Sequence, residues 1–358
     1  MLKNDNIKII YENEAIKNNA QLINSLGNKF LIVSGKTGAK KSGALDDFLE
    51  AIKDKEYYLF DEIGENPKVE TILKVNDFID NYDCVVGIGG GSALDASKII
   101  ANLKYNKALN EEELFKQNFE NERLPLILIG TTAGTGSEVN RVSVLTKKNG
   151  RKSSIRHDKL YGTIALCDPK YTYSLPLSIA KTTGVDALAH ALESYFSNKA
   201  TAESKEFATL AIELLLPALK NINNLSKEDK NNLYLGSLYG GLSINLTGTA
   251  FPHNVGYYLT ENFNVPHGFA CAIFEEDLLN YEEENNKEYF DEFIKTIKMG
   301  KDELISLINS LLPESNISIS EETLKEILPR WQDNNSVKNT YGKMNVNDIE
   351  KILRKKFL

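Results

Sequence analysis

Histidine is scarce in this chain, with four in 358 residues. Cysteine is scarcer: Cys84, Cys167 and Cys271 are widely spaced and odd in number. That pattern excludes a disulfide framework and a cysteine-based zinc site, and it fits a reducing cytoplasm. Each cysteine reads as a small buried residue, not a nucleophile. Long apolar runs are missing, so no segment is expected to span a bilayer. The polar start MLKNDNIKIIYENEAI lacks the apolar stretch of a signal peptide. Positive charge is not in excess: 42 Lys and Arg against 50 Asp and Glu leave a net charge of -8. A modestly acidic surface argues against nucleic acid as a partner. What remains is an ordinary globular composition and a length that calls for two domains.

The first half alternates short apolar runs with helical patterns. Phe30–Ser34, Tyr57–Phe60, Cys84–Ile88, Leu126–Ile129 and Ile164–Cys167 read as strands. A helix carrying Leu45, Phe48, Leu49 and Ile52 follows the first, and Val69–Ile79 reads as a second helix. Continuous apolar strands between helices predict a mostly parallel sheet covered on both faces. Val142–Leu145 and Ser153–Ile155 flank Lys147-Lys148-Asn149-Gly150, a hairpin signal. Beyond Leu175-Pro176 only helical periodicity is found, as in Ala202–Leu219 and Leu233–Leu246. Asn280–Glu288 reads as a solvated loop or helix end, and the basic tail Ile352–Lys356 as a helix C-terminus. The expected architecture is an α/β domain over 1–174 and an all-α domain over 175–358.

Three of the four histidines stand in suggestive company. Asp186 and His190 in TTGVDALAHALESYF are four residues apart, hence on one helix face. His253 and His267 follow in AFPHNVGYYLT and NVPHGFACAIF. One carboxylate and three imidazoles suit Zn²⁺ or Fe²⁺, with room left for a substrate oxygen. The alternative is local pairing of Asp186 and ordinary placement of each histidine.

Gly89-Gly90-Gly91-Ser92 follows the third predicted strand and opens a helix striped by Ala96, Ile99, Ile100 and Leu103. Ser92 and Asp95 form a Ser-x-x-Asp start signal. Glycines let backbone N–H groups approach a phosphate, and a helix N-terminus favours negative charge. A tight turn is the competing reading, and G-x-G-x-x-G is absent. Lys98 in that helix reads as a cation that could face solvent. The loop Thr131–Glu138 offers hydroxyls at the carboxyl end of a strand, where ligands of such folds collect. Arg141, Arg156 and His157 lie in or near the hairpin; they could hold an anionic substrate group, or be surface and interdomain contacts.

GGGSALDASK, TTAGTGSE, GVDALAHALESY and the fourteen-residue step from His253 to His267 together resemble the iron-containing (group III) alcohol dehydrogenases. The motifs occur in the family's order and span nearly the whole chain. The resemblance implies that residues 1–174 form a dinucleotide-binding domain and 175–358 an all-helical metal-binding domain, with the metal in the cleft between them, NAD or NADP as cofactor, Fe²⁺ or Zn²⁺ as metal, and a homodimer. By position, Asp186, His190, His253 and His267 match the metal ligands. Gly89, Gly90, Gly91, Ser92 and Asp95 match the pyrophosphate loop and its helix. Thr131, Thr132 and Thr135 match residues near the phosphates and nicotinamide, and Lys152 a cofactor-contacting lysine. Many relatives carry a histidine where this chain has Tyr257. His267 and Tyr257 are therefore the catalytic candidates, with packing as the other role for Tyr257.

Many NAD-using relatives also place an acidic residue after the first strand. Here Ser34-Gly35-Lys36-Thr37-Gly38-Ala39-Lys40-Lys41-Ser42 has none. Gly35 at the cofactor's ribose end, with Lys40 and Lys41 drawing a 2′-phosphate, favours NADP. The expected activity is metal-assisted reduction of a small aldehyde, or oxidation of a primary alcohol, by hydride transfer. PHNVGYYLT…VPHG is closer to a branch resembling phosphonoacetaldehyde reductases. A lyase resembling dehydroquinate synthase shares the plan, but the Lys and Arg cluster a cyclase needs is not seen. A non-catalytic regulator would not need both sites.

Overall fold

The computed structural model describes residues 2–358 apart from Gln117 and Ser315. Eight strands form: β1 (Lys8–Tyr11), β2 (Lys29–Ser34), β3 (Glu56–Phe60), β4 (Cys84–Gly89), β5 (Leu126–Gly130), β6 (Val142–Thr146), β7 (Lys152–Arg156) and β8 (Ile164–Cys167). Six make one sheet in the order β1-β8-β5-β4-β2-β3, and every pairing in it is parallel. β4 and β5 are buried at every residue. Their unbroken apolar runs are what a sheet covered on both faces requires. Two hydrophobic clusters pack on the sheet: one holds Leu31, Val33, Val85 and Leu128, the other Phe30, Ile32, Val86 and Ile129. Alternate residues of the same strands thus face opposite layers.

β6 and β7 pair separately as the antiparallel hairpin that Asn149-Gly150 predicts, with Gly150 at φ 80°. β1 escapes the sequence reading. Its four residues sit in a polar context, and its register against β8, not its own pattern, makes it a strand. From Leu177 the regular elements among the described residues are all helices, with one isolated bridge between Ser197 and Thr340. The helices that build the site are α1 (Gly91–Leu103), α2 (Leu177–Tyr195), α3 (Ala202–Lys220), α4 (Lys227–Thr247), α5 (Phe251–Phe263), α6 (His267–Ala272) and α7 (Glu275–Asn285). Among the described residues, no helix is long and apolar enough to cross a membrane.

Two local expectations are corrected, and a third, the helix end within Asn280–Glu288, is made definite. Val69–Ile79 is not one helix: an α-turn over Val69–Leu73 gives way to 3₁₀ turns at Lys74–Asp77 and Ile79–Asn81. Asn280–Glu288 is helical on both sides of Asn286, which ends α7 and precedes a helix over Lys287–Ile297. Ser92 does not cap α1. Gly90 holds that position, and Ser92 Oγ accepts the Asn66 N–H instead.

Glu282 lies in α7, fully buried. One oxygen accepts from Asn286 at 2.8 Å and the other has no partner. Burial raises its pKa from 4.5 to about 8, and the Asn286 bond only partly offsets this. The folded value lies above the unfolded one. Its stabilising contribution is therefore complete below pH 4.5 and lost as pH rises through 8. Glu282→Gln should gain on the order of 3 kcal/mol over the parent at pH 9 and almost nothing at pH 4. Thermal melts at both pH values check this; an equal difference at each would contradict it.

Candidate active site

The strand order reverses direction between β2 and β4, because β2 is followed outward by β3 and β4 inward by β5. Loops leaving two such strands diverge and open a crevice at their carboxyl ends. Gly35 and Gly38 after β2 and Gly89 to Ser92 after β4 line a cavity of about 650 Å³ there. Gly89 has φ +155°, and a Cβ on it would stand 2.8 Å from Ala93 Cβ. The chain can therefore turn from β4 straight into α1 only with glycine at this point. The first-turn amides of α1 are left facing the crevice, a setting suited to a phosphate.

Asp95 and Lys98 on α1 bind the hairpin. Asp95 accepts from Ser137 Oγ at 2.5 Å and from the Val144 N–H at 2.8 Å. Lys98 is fully buried, which corrects the solvent-facing expectation. Its Nζ donates to Ser137 Oγ (2.7 Å), Asn140 Oδ1 (3.0 Å) and the Val142 carbonyl (2.6 Å), and lies 3.6 Å from Asp95. Burial lowers its pKa to about 8, against the pull of Asp95 and Glu138. Lys98→Met would strand a buried carboxylate and three acceptors. We expect a loss of about 3–5 kcal/mol in urea unfolding; a loss below ~1 kcal/mol would contradict this account of the clamp.

The second wall comes from the helical half. Asp186 and His190 project from α2, His253 from α5, and His267 opens α6. Donor atoms of Asp186, His253, His267 and Cys271 all lie within 4.8 Å of one another. Asp186 Oδ1 is 3.6 Å from His253 Nε2 and 3.8 Å from His267 Nε2. His190 stands beside this group, its ring stacked on His253 with centroids 4.5 Å apart. Asp186 Oδ1, His253 Nε2 and His190 Nδ1 are buried with no hydrogen-bond partner. Buried polar atoms without partners are costly. A divalent cation would satisfy the Asp186 oxygen and the His253 nitrogen at once, with His190 adjacent, so the donor set fits a metal.

Electrostatics agree for Asp186, His190 and His267, while His253 departs from them. Burial opposes charge on Asp186, yet the facing His190, His253 and His267 hold its pKa well below the carboxylate range. Burial pushes His190 down to about 4 and His267 well below its ordinary value, the latter helped by Lys152. Both rings are neutral at pH 7, as ligands must be. Burial also opposes charge on His253, but Cys271 and Glu193 raise its pKa well above the usual range.

Of the other predicted residues, Thr132, Thr135, Asp95 and Lys152 line the cavity. Thr131 is buried behind the loop, its N–H bonded to the Gly89 carbonyl. Lys36, Lys40 and Lys41 are exposed and outside the cavity wall, whereas Gly35, Gly38 and Ala39 form it. Tyr257 stacks on His267 at 5.5 Å, and Lys152 Nζ lies 5.3 Å from its ring centre. Glu193 was not singled out from the sequence. Fully buried, it meets His253 Nδ1 in a short contact and accepts the Ala250 N–H at 2.7 Å. Its spacing was the available signal: Asp186, His190 and Glu193 share one face of α2. Cys271, read as a plain buried residue, is buried but places its Sγ 3.6 Å from His267 Nδ1.

Two family models match the chain. One, described as iron-containing alcohol dehydrogenase, covers residues 6–169, and a second, the C-terminal part of the Fe-containing alcohol dehydrogenase family, covers 180–357. Long-chain-alcohol dehydrogenase 1 of Geobacillus thermodenitrificans is 32% identical over 268 residues, 72% of this chain and 68% of that protein. Sulfoacetaldehyde reductase of Bilophila wadsworthia is 31% identical over 278 residues, 75% of this chain and 72% of that protein. The crystal structure of an iron-containing alcohol dehydrogenase from Thermotoga maritima superposes with a TM-score of 0.90 at 31% identity, covering 98% of both chains.

Proposed function

The chain belongs to the iron-containing alcohol dehydrogenases, and on that premise we propose how its own residues divide the work. It is a metal-dependent, NAD(P)-linked oxidoreductase of alcohols and aldehydes. We assign the ion to Asp186, His190, His253 and His267, with Fe²⁺ or Zn²⁺ as the candidates. The carrying observation is the set of partnerless buried donors on the wall of the cleft that also holds the glycine turn.

When bound, the ion supplies Lewis acidity at a carbonyl oxygen and the nicotinamide a hydride for its carbon. Glu193 holds His253 by Nδ1 and so fixes which ring nitrogen faces the cleft. Gly89, Gly90, Gly91 and Ser92 cradle the pyrophosphate. Thr132 and Thr135 border the next stretch, and Lys152 lines the same cavity beside Tyr257 and close enough to His267 to disfavour its charge. Asp95 acts indirectly, by tying the hairpin to α1. Reduction needs one proton for the product oxygen. The Tyr257 hydroxyl makes no protein hydrogen bond among the described residues and is the donor we assign, directly or through water.

NADP remains our preference over NAD, carried by the exposed Lys40 and Lys41 beside Gly38 and the lack of a carboxylate between Ser34 and Ser42. The three cysteines are free thiols, which suits the cytoplasm. Tyr57 and Tyr58, half exposed on the edge strand β3, support a homodimer. Protein prepared without oxygen, loaded with Fe²⁺ or Zn²⁺, should oxidise NADPH faster than NADH in the presence of short aldehydes. Aldehyde-dependent oxidation of neither would overturn the functional reading; faster NADH oxidation would overturn only the NADP preference.

A further inference from the structure

The hairpin that α1 clamps carries an unspent cation into the cleft. Along β7 the alternate residues Lys152, Ser154 and Arg156 line the cavity, while Ile155 between them is buried in the core. The Lys152 end lies beside the glycine turn, since its partner Thr146 bonds Asn66, and Asn66 bonds Ser92. The Arg156 end lies on the far side, where its guanidinium donates to the Asn245 carbonyl near the end of α4. Four extended residues separate these ends by roughly 13 Å. Cofactor and substrate therefore have different ends of one cavity available.

Three basic or titratable groups of this region differ sharply in what they face. Arg141 is paired with Asp158. His157 accepts the Lys159 N–H and packs edge-on against Phe119. Arg156 has no carboxylate within ion-pairing reach among the described residues. One carbonyl takes one of its five N–H donors. Burial and the nearby Arg141 disfavour its charge, so it is an uncompensated cation. Lys199, also without an ion pair, and Thr249, Asn335 and Ser336, whose side chains make no protein hydrogen bond among the described residues, line the same end.

We propose that Arg156, with Lys199 and the hydroxyl and amide groups of Thr249, Asn335 and Ser336, receives an anionic head group on the substrate. The preferred substrates are then short aldehydes ending in a sulfonate, phosphonate or carboxylate. A guanidinium offers two parallel donors to each of these groups, and a charge-assisted pair in a partly buried cleft is far stronger than one in water. The inference rests on the aldehyde-reducing reading and refines its substrate class.

The test compares kcat/KM of the metal-loaded enzyme for two- to four-carbon aldehydes bearing each acid with uncharged aldehydes of equal length. The acidic series should be preferred, and its three arms identify the head group. Arg156→Gln should lower the acidic-to-neutral ratio by about 30- to 100-fold, whereas Arg141→Gln, outside the cleft, should keep it. Calorimetric titration of wild-type holoenzyme with ethanesulfonate, methylphosphonate and propionate supplies a readout free of turnover and of variant folding. At least one should bind more tightly than its uncharged analogue. An unchanged ratio in Arg156→Gln, or no anion binding better than its neutral analogue, overturns the proposal. Reduction of uncharged aldehydes would then still stand; absence of all aldehyde reduction would instead remove the functional reading itself.

Discussion

Asp186→Ala is expected to lose its bound metal and at least about 10³-fold in kcat. Asp186 is the point on which the cluster converges: its Oδ1 faces His253 and His267, and both its oxygen and the His253 nitrogen lack other partners. Removing it takes away the one anionic donor of the assigned set. The glycine turn belongs to the other half of the chain and makes no use of α2. Dinucleotide affinity, read by NAD(P)H fluorescence, should therefore stay within about threefold. Metal content by elemental analysis, turnover and cofactor binding are read on one preparation, with a thermal melt to show that the variant is folded. A folded variant that keeps both metal and turnover would contradict the ligand assignment.

Gly268→Ala should do nearly as much damage without touching a donor atom. A Cβ at Gly268 would stand 1.9 Å from the Thr182 carbonyl oxygen and 2.9 Å from Asp186 Cβ. Both neighbours are fixed parts of α2, so α6 would have to move away. His267 is the adjacent residue and travels with it. Overpacking of this kind costs about 1–3 kcal/mol, and a shift near 1 Å at a metal or catalytic group is worth about 100-fold. The expected result is a lower Tm together with a metal affinity reduced by at least ~10-fold. An unchanged metal affinity would show that His267 is not held by this helix crossing.

Much of this was legible in the chain. The central strands announce themselves because both faces are buried, and the histidines because there are so few. The hairpin is written in Asn149-Gly150. β1 was invisible, since a four-residue edge strand owes its existence to a partner more than 150 residues away. Lys98 could not be placed, because a helix cation looks the same whether it meets water or three acceptors; only the fold brings Ser137, Asn140 and Val142 to it. Arg156 shows the same limit. In sequence it is one polar residue of the hairpin region along with Arg141 and His157, and only the structure shows that Arg141 has a carboxylate partner and Arg156, among the described residues, has none. Spacing named Asp186 and the histidines, but whether His190 or Cys271 completes the donor set depends on side-chain rotation within a few ångström.

Anomalous diffraction from crystals grown with Fe²⁺ or Zn²⁺ addresses that point and the whole account together. One ion should appear at the cleft wall, about 2.0–2.2 Å from Asp186 and from a nitrogen of His190, His253 and His267, with the Cys271 sulfur outside its coordination. An ion bound by Cys271 in place of His190, or no ion between α2, α5 and α6, would contradict it.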